Sequence, residues 1–140
     1  MKLPNNPKHR PIIVVDNYDQ IDGKYQGRDA KFLSIGYAQY NMSDLSLKVF
    51  RKPKDRWSPQ SEELPLHRVL DLSILLLRTL ATDSDVLIQS PLSERMKEVN
   101  YYNLGKTDIV NFCREDRSHL LPRLEELKYL LNTIDFKMVI

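Results

Sequence analysis

The chain has 140 residues, 41% of them hydrophobic and 29% charged, and its 21 Lys and Arg against 19 Asp and Glu give a formal charge of +2. That composition excludes wholesale disorder, and a chain of this size buries about two-thirds of its unfolded surface without needing disulfides or a structural metal. The single cysteine, Cys113, excludes an internal disulfide and a cysteine-rich zinc site.

No apolar run is long enough to span a membrane, and Met1-Lys2-Leu3-Pro4-Asn5-Asn6 lacks the apolar core of a signal peptide. The expectation is one cytoplasmic domain over 1–140, with no membrane contact. Within it, 1–10 reads as a loose polar arm, 11–57 as a β-rich basic part and 65–140 as a mainly helical part.

In chain order, Ile12-Ile13-Val14-Val15 follows Pro11 and stops at Asp16-Asn17, which predicts a first strand. Residues 22–30, with Gly23 and Gly27, read as a loop. Leu33, Ile35 and Tyr37 then alternate with Ser34, Gly36 and Ala38, and Leu45, Leu47 and Val49 alternate with Ser46, Lys48 and Phe50. Period-two alternation on either side of Asn41-Met42-Ser43-Asp44 predicts an antiparallel hairpin. Its second strand runs into the charged turn Arg51-Lys52-Pro53-Lys54-Asp55-Arg56, which ends on the only tryptophan, Trp57.

From Pro65 to about Ala81 the period becomes helical. Leu66, Val69, Leu70, Leu72, Ser73, Ile74, Leu76, Leu77 and Leu80 cover an arc of roughly 200° at about 100° per residue. A one-sided surface helix needs only about half of that. This helix therefore calls for cover on two sides, by the sheet and by further helices or a second subunit. Ser90-Pro91 is read as opening a short helix through Val99, Thr107 as capping one through about Arg114, and Ser118 as starting another through about Leu131. Leu120, Leu121, Leu124, Leu127, Leu131 and Ile134 give the last of these an apolar face. The fold class is α+β: a small antiparallel sheet packed against a long apolar helix and C-terminal helices.

Few residues carry recognisable chemistry. Gly105-Lys106-Thr107 has the ending of a phosphate loop, but Asn100 stands where the preceding glycine is required, so a helix start is the reading. Glu63, His67 and Asp71 are spaced by four, which places His67 and Asp71 on one helical face, where a carboxylate can orient an imidazole. No nucleophile accompanies them, and a solvated face with local charge pairs is preferred. His9 and His119 have no metal-ligand spacing to His67. Cys113 beside Arg114 reads as a packed thiol. No catalytic residue, metal site or cofactor is assigned, and an enzyme is not expected.

Charge resolved by position is more informative. Residues 24–57 hold 8 basic residues against 3 acidic ones, while residues 58–140 hold 10 against 13. Lys48, Phe50, Arg51, Lys54, Arg56 and Trp57 are the candidate binding residues, placed outward on the hairpin and its turn with Tyr37 or Tyr40 beside them. Basic side chains track phosphates and aromatic faces stack on unpaired bases, so this mixture points to a single-stranded nucleic acid. The alternative is a protein-interaction module, an inhibitor or accessory subunit, using the apolar helix surface.

Two resemblances bear on this reading. Leu33-Ser34-Ile35-Gly36-Tyr37-Ala38-Gln39-Tyr40, followed by Trp57-Ser58-Pro59-Gln60-Ser61-Glu62-Glu63-Leu64-Pro65-Leu66-His67-Arg68-Val69-Leu70-Asp71-Leu72, resembles a family of small bacterial proteins of unknown function over about residues 11–80. The order of strand 32–40, strand 45–51, basic turn and helix from Pro65 is similar to the positive-cofactor-four type of transcriptional coactivator. That resemblance implies a dimer binding single-stranded DNA on a curved sheet, with the helix at the dimer contact. The chain departs from it in lacking the lysine-rich loop, and Glu62-Glu63 puts negative charge before the helix.

Overall fold

Branching at Cβ restricts Ile12, Ile13, Val14 and Val15 to extended backbone, and they form strand β1 (Arg10–Val15). Strands β2 (Ala30–Tyr37) and β3 (Leu45–Arg51) make the expected hairpin, and β4 (Glu63–Pro65) adds a short strand that the sequence reading did not contain. The four strands pair antiparallel in chain order, β1-β2-β3-β4. The structure is a computed structural model that describes residues 1–60, 62–82, 89–99 and 105–140. The chain divides into two compact units, Met1–Leu76 and Leu77–Ile140.

In the first unit the hairpin turn is held by side chains that compete for backbone groups. The Asn41 carbonyl oxygen Oδ1 accepts from the Ser43 N–H at 3.0 Å and from its hydroxyl at 2.7 Å, and Ala38 N–H donates to Asp44 O at 3.0 Å. The loop before β2 is ordered by two 3₁₀ turns, Tyr18–Gln20 and Gly23–Tyr25, and Lys31 closes it on Asp19 at 3.1 Å. Gly27, at φ 80, takes a left-handed conformation there that other residues adopt only with strain.

The sheet buries the face opposite to the one its aliphatic residues mark. On β2 the buried positions are Ala30, Phe32, Ser34 and Gly36, and on β3 they are Ser46 and Phe50. Phe50, expected to point outward, is 5% exposed. The reason is chemical: His9 reaches this face from the N-terminal arm and satisfies its serines, while Phe32, Phe50 and Trp57 pack over the rest. Leu33, Ile35, Leu47 and Val49 line the other face and are only half-buried.

Helix α1 (Leu66–Leu80) starts one residue after Pro65, inside the ordinary scatter of helix boundaries. None of its residues is buried, and Leu70 and Leu72 are more than half exposed. In the second unit α2 (Lys106–Glu115) is capped by Gly105 and not by Thr107, and the Asp108 carboxylate accepts the Gly105 N–H at 2.9 Å. Helix α3 (Arg117–Thr133) contains Pro122 and half-buries Leu120, Leu121, Leu124 and Leu127. A last turn, α4 (Phe136–Val139), ends the chain. The helix expected over 90–99 is reduced to one 3₁₀ turn, Ser93–Arg95, after which Met96 is extended. Ser90 and Ser93 exchange side-chain-to-backbone bonds at 2.9 and 3.2 Å, closing that turn locally and competing with helix propagation.

Gly36 shows how tightly β1 sits on β2. The register slips between Pro11 and Ile13, and a Cβ on Gly36 would lie 2.7 Å from Arg10 C and 2.8 Å from Pro11 Cα. Gly36→Ala is expected to lower stability by about 1–3 kcal/mol, read as a shift of the urea midpoint. An unchanged midpoint would show that β1 yields without cost.

Candidate functional site

The buried polar groups of the sheet converge on His9, which is 1% exposed. Its Nε2 lies 2.9 Å from Ser34 Oγ, and its Nδ1 lies 2.9 Å from Ser46 Oγ and 3.0 Å from Glu63 Oε2. Ser46 donates to Glu63 Oε2 at 2.7 Å, and Gln39 N–H donates to the other carboxylate oxygen at 2.9 Å. A protonation pattern with neutral His9 satisfies all of these contacts. Ionised Glu63 accepts three hydrogen bonds, neutral His9 donates from Nδ1, and Ser34 donates to Nε2. Among the described residues no buried side-chain polar atom lacks a partner.

The pKa directions agree with that pattern. Burial holds the His9 pKa below its ordinary 6.5, outweighing the hydrogen bond and charge of Glu63 that pull it up. Burial pushes the Glu63 carboxyl up, but the bonds from Ser46, Gln39 and His9 together bring it below its ordinary 4.5. His9 is therefore neutral near pH 7, and its contact with Glu63 is a hydrogen bond to a carboxylate, not an ion pair.

Carboxylate, imidazole and hydroxyl stand in the order that activates a serine nucleophile. Here all three groups are buried: Ser34 is 4% exposed and does not line the neighbouring cleft.

That cleft, of about 250 Å³, lies over the same face. Pro4, Pro7 and Lys8 of the arm form one side, Trp57 and the segment after it form the other, and Lys48 and Phe50 of β3 lie between. The aromatic wall is a packed cluster: Trp57 lies 5.9 Å from Phe32 and 6.2 Å from Phe50, ring centroid to centroid, and His9 meets Phe50 edge-on at 5.7 Å. Lys48 Nζ sits 5.1 Å from the Phe50 ring centre. Burial depresses the Lys48 pKa against the charges of Glu63 and Glu62, and no carboxylate among the described residues comes within ion-pair distance of Nζ.

Of the six candidate binding residues, four line this cleft: Lys48, Phe50, Arg51 and Trp57. Phe50 is its buried floor, and Trp57 is half-buried, its ring tilted against Phe32 and edge-on to Phe50. Arg51 is held by two carboxylates, Asp29 at 3.2 Å and Glu62 at 2.6 Å. Lys54 and Arg56 are exposed on the turn and do not line the cleft, whereas Lys52, not singled out, lies 5.5 Å from the Trp57 ring centre. His67 and Asp71 are exposed on α1, and Glu63, noticed for its spacing to them, faces His9 instead.

The model of a family of unknown function, DUF6530, matches residues 1–100. The chain belongs to the DUF6530 family. The matched span of DUF6530 contains the arm, all four strands, the His9 network, the cleft and α1. No curated protein and no solved structure matches the chain.

The network has a definite acid dependence. A group whose folded pKa is depressed adds stability that is complete above its unfolded pKa and is lost as pH falls toward the folded one. Stability should thus fall on acidification in two stages, first below 6.5 as His9 protonates in the unfolded chain, then below 4.5 through Glu63. In His9→Asn the first stage should disappear while the second remains, followed by urea unfolding across that pH range. A His9→Asn profile that retains the first stage would assign that dependence elsewhere.

Proposed function

We propose that this DUF6530 protein is a non-enzymatic binding protein whose cleft takes a nucleotide unit of a single-stranded nucleic acid. The observation that carries the reading is Lys48, a half-buried ammonium 5.1 Å from an aromatic ring centre, with no carboxylate among the described residues in ion-pair contact although Glu62 also lines the cleft. Removing a cation from water is unfavourable, the charges of Glu63 and Glu62 offset that only in part, and a phosphate in the cleft would offset it further. Lys52, Lys54 and Arg56 extend the positive charge along the adjoining turn, where a strand's neighbouring phosphates would run. The uncovered part of Trp57 supplies a flat surface for a base. Gln39, Ser58 and Gln60 add uncharged hydrogen-bonding groups to the cleft wall.

A second reading, a protein-interaction module, is favoured by the exposed leucines of α1. A stoichiometric protein partner, together with no response to oligonucleotide, would support it over the first.

The only tryptophan stands in the cleft wall, so its own emission reports occupancy. Titration with a mixed-sequence single-stranded oligonucleotide at low salt is expected to quench Trp57, with affinity falling steeply as salt rises. Lys48→Met keeps the packing on Phe50 and removes the charge. It should weaken binding and flatten the slope of log affinity against log salt by about 0.7, the share of one single-strand phosphate contact. No quenching at low salt, or a Lys48→Met slope equal to the parent's, would overturn the proposal.

A further inference from the structure

The loop before β2 carries two basic residues, Lys24 and Arg28, that do not line the cleft. Between them stands Tyr25, which closes the second 3₁₀ turn. Its N–H donates to Asp22 O at 2.9 Å, and its carbonyl accepts the Arg28 N–H at 3.0 Å. Gly27 N–H donates to Asp19 O at 2.7 Å and ties this turn to the one before it. The turn thus presents a tyrosine that is 49% exposed. Two cations stand over its ring: Lys24 Nζ lies 5.6 Å from the centre and the Arg28 guanidinium carbon 5.5 Å.

A chain of contacts joins this ring to the cleft. Arg28 lines a cavity of about 470 Å³ together with Gly27, Asp29, Lys31, Lys52 and Pro53. Lys52 in turn lies 5.5 Å from the ring centre of Trp57, which forms the cleft wall. The carboxylate in the cavity lining is already engaged, Asp29 by Arg51 at 3.2 Å, and Lys31 is held by Asp19 at 3.1 Å. No ion pair among the described residues includes Arg28, Lys52 or Lys48. The pattern repeats along the route: Phe50, Trp57 and Tyr25 each have a lysine or arginine 5.1 to 5.6 Å from the ring centre. Phe50 is buried, so Trp57 and Tyr25 are the rings left to meet a ligand. A single strand has the matching repeat, a flat base and a charged phosphate in every unit.

Resting on the reading of the cleft given above, we infer that the bound strand continues past Trp57 and over Lys52 to a second stacking position at Tyr25. Arg28 meets a phosphate on the way, where the cavity gives the backbone room. The ligand is then a strand of several nucleotides and not a free nucleotide, because a free nucleotide offers one base to two rings.

Trp57 emission reports cleft occupancy, and changes at Tyr25 leave that reporter in place. Two ligands are titrated at low salt, a nucleoside monophosphate and a mixed-sequence single strand of about ten nucleotides, a length within the usual site sizes. Tyr25→Ala should weaken the oligonucleotide about tenfold or more, the effect of losing one stacked base, while Tyr25→Phe keeps the ring and should match the parent. Arg28→Met should flatten the salt slope for the oligonucleotide by about 0.7. All three variants should leave the response to the monophosphate unchanged, since it reaches only the cleft. If the oligonucleotide quenches Trp57 and responds to Lys48→Met, while Tyr25→Ala and Arg28→Met match the parent, the cleft reading stands and the path to Tyr25 is overturned. Equal weakening of both ligands in Tyr25→Ala would also overturn that path, because the ring would then act through the fold. No quenching by either ligand would overturn both readings.

Discussion

Four polar side chains lie under the closed face of the sheet, and His9 is the one that makes their burial possible. A carboxylate out of water requires donors, and Glu63 has three, from Ser46, from the Gln39 backbone and from His9. Remove the imidazole and Ser34 and Glu63 each lose a partner in a place water does not reach, at a cost of about 1–3 kcal/mol for each unsatisfied group. The contributions do not separate, because Ser46 serves both His9 and Glu63 and each bond orients the next. The closure is also long-range: His9 bridges to residues 25, 37 and 54 positions away. The arm, the hairpin and β4 are therefore locked by a single polar contact set, and the cleft walls inherit their positions from it. Pro7 and Lys8 stand where they do because the next residue is fixed.

This constraint explains why the sheet presents its faces in the reverse of the usual order. Strands with one buried side ordinarily turn aliphatic residues inward. Here the inward side carries serines, histidine and glutamate capped by aromatic rings, and Leu33, Ile35, Leu47 and Val49 lie on the other. A polar network of this type is tolerable only when complete. Completeness restricts the geometry more sharply than aliphatic packing would, since hydrogen bonds fix direction as well as distance. A rigid floor beneath the cleft is the functional consequence. Phe50 cannot turn away from Lys48 without breaking its edge contact with His9 and its contact with Trp57.

The strands and helices were legible because their signals are local. Four β-branched residues after Pro11 marked β1, the two alternating segments marked β2 and β3, and the helical spacing of leucines marked α1. The α+β class follows from that order. The inward face was not legible, because alternation says only that two faces differ, and the deciding residues lie outside the hairpin. His9 sat in a polar arm with no periodicity, and Glu63 sat before a helix, where its spacing to His67 suggested a different neighbour. Strand β4 was hidden for the same reason: Glu63-Leu64-Pro65 is too short to show a period and became a strand only by pairing with Ser46 and Lys48. The turn at 90–99 failed in the opposite sense, since Ser90-Pro91 is a good helix opening that local serine bonds cut off after one turn.

Charge counted along a sequence and charge available to a ligand are different quantities, and the basic middle third shows by how much. Lys31 is paired with Asp19, and Arg51 is clamped by Asp29 together with Glu62, which lies outside that third. An acid from the mildly negative part of the chain thus neutralises a base from the positive part, at a site the sequence marked for binding. The other bases of that third fall in two places. Lys24 and Arg28 lie over the Tyr25 ring in the loop before β2, while Lys48 is in the cleft and Lys52, Lys54 and Arg56 are on the turn that ends at Trp57, with Glu63 beyond ion-pair reach of Lys48. Glu63 also serves two ends at once. Its carboxylate anchors the buried network, and its charge raises the Lys48 pKa against the burial that lowers it. The same group that closes the sheet therefore bears on the charge of the lysine in the cleft.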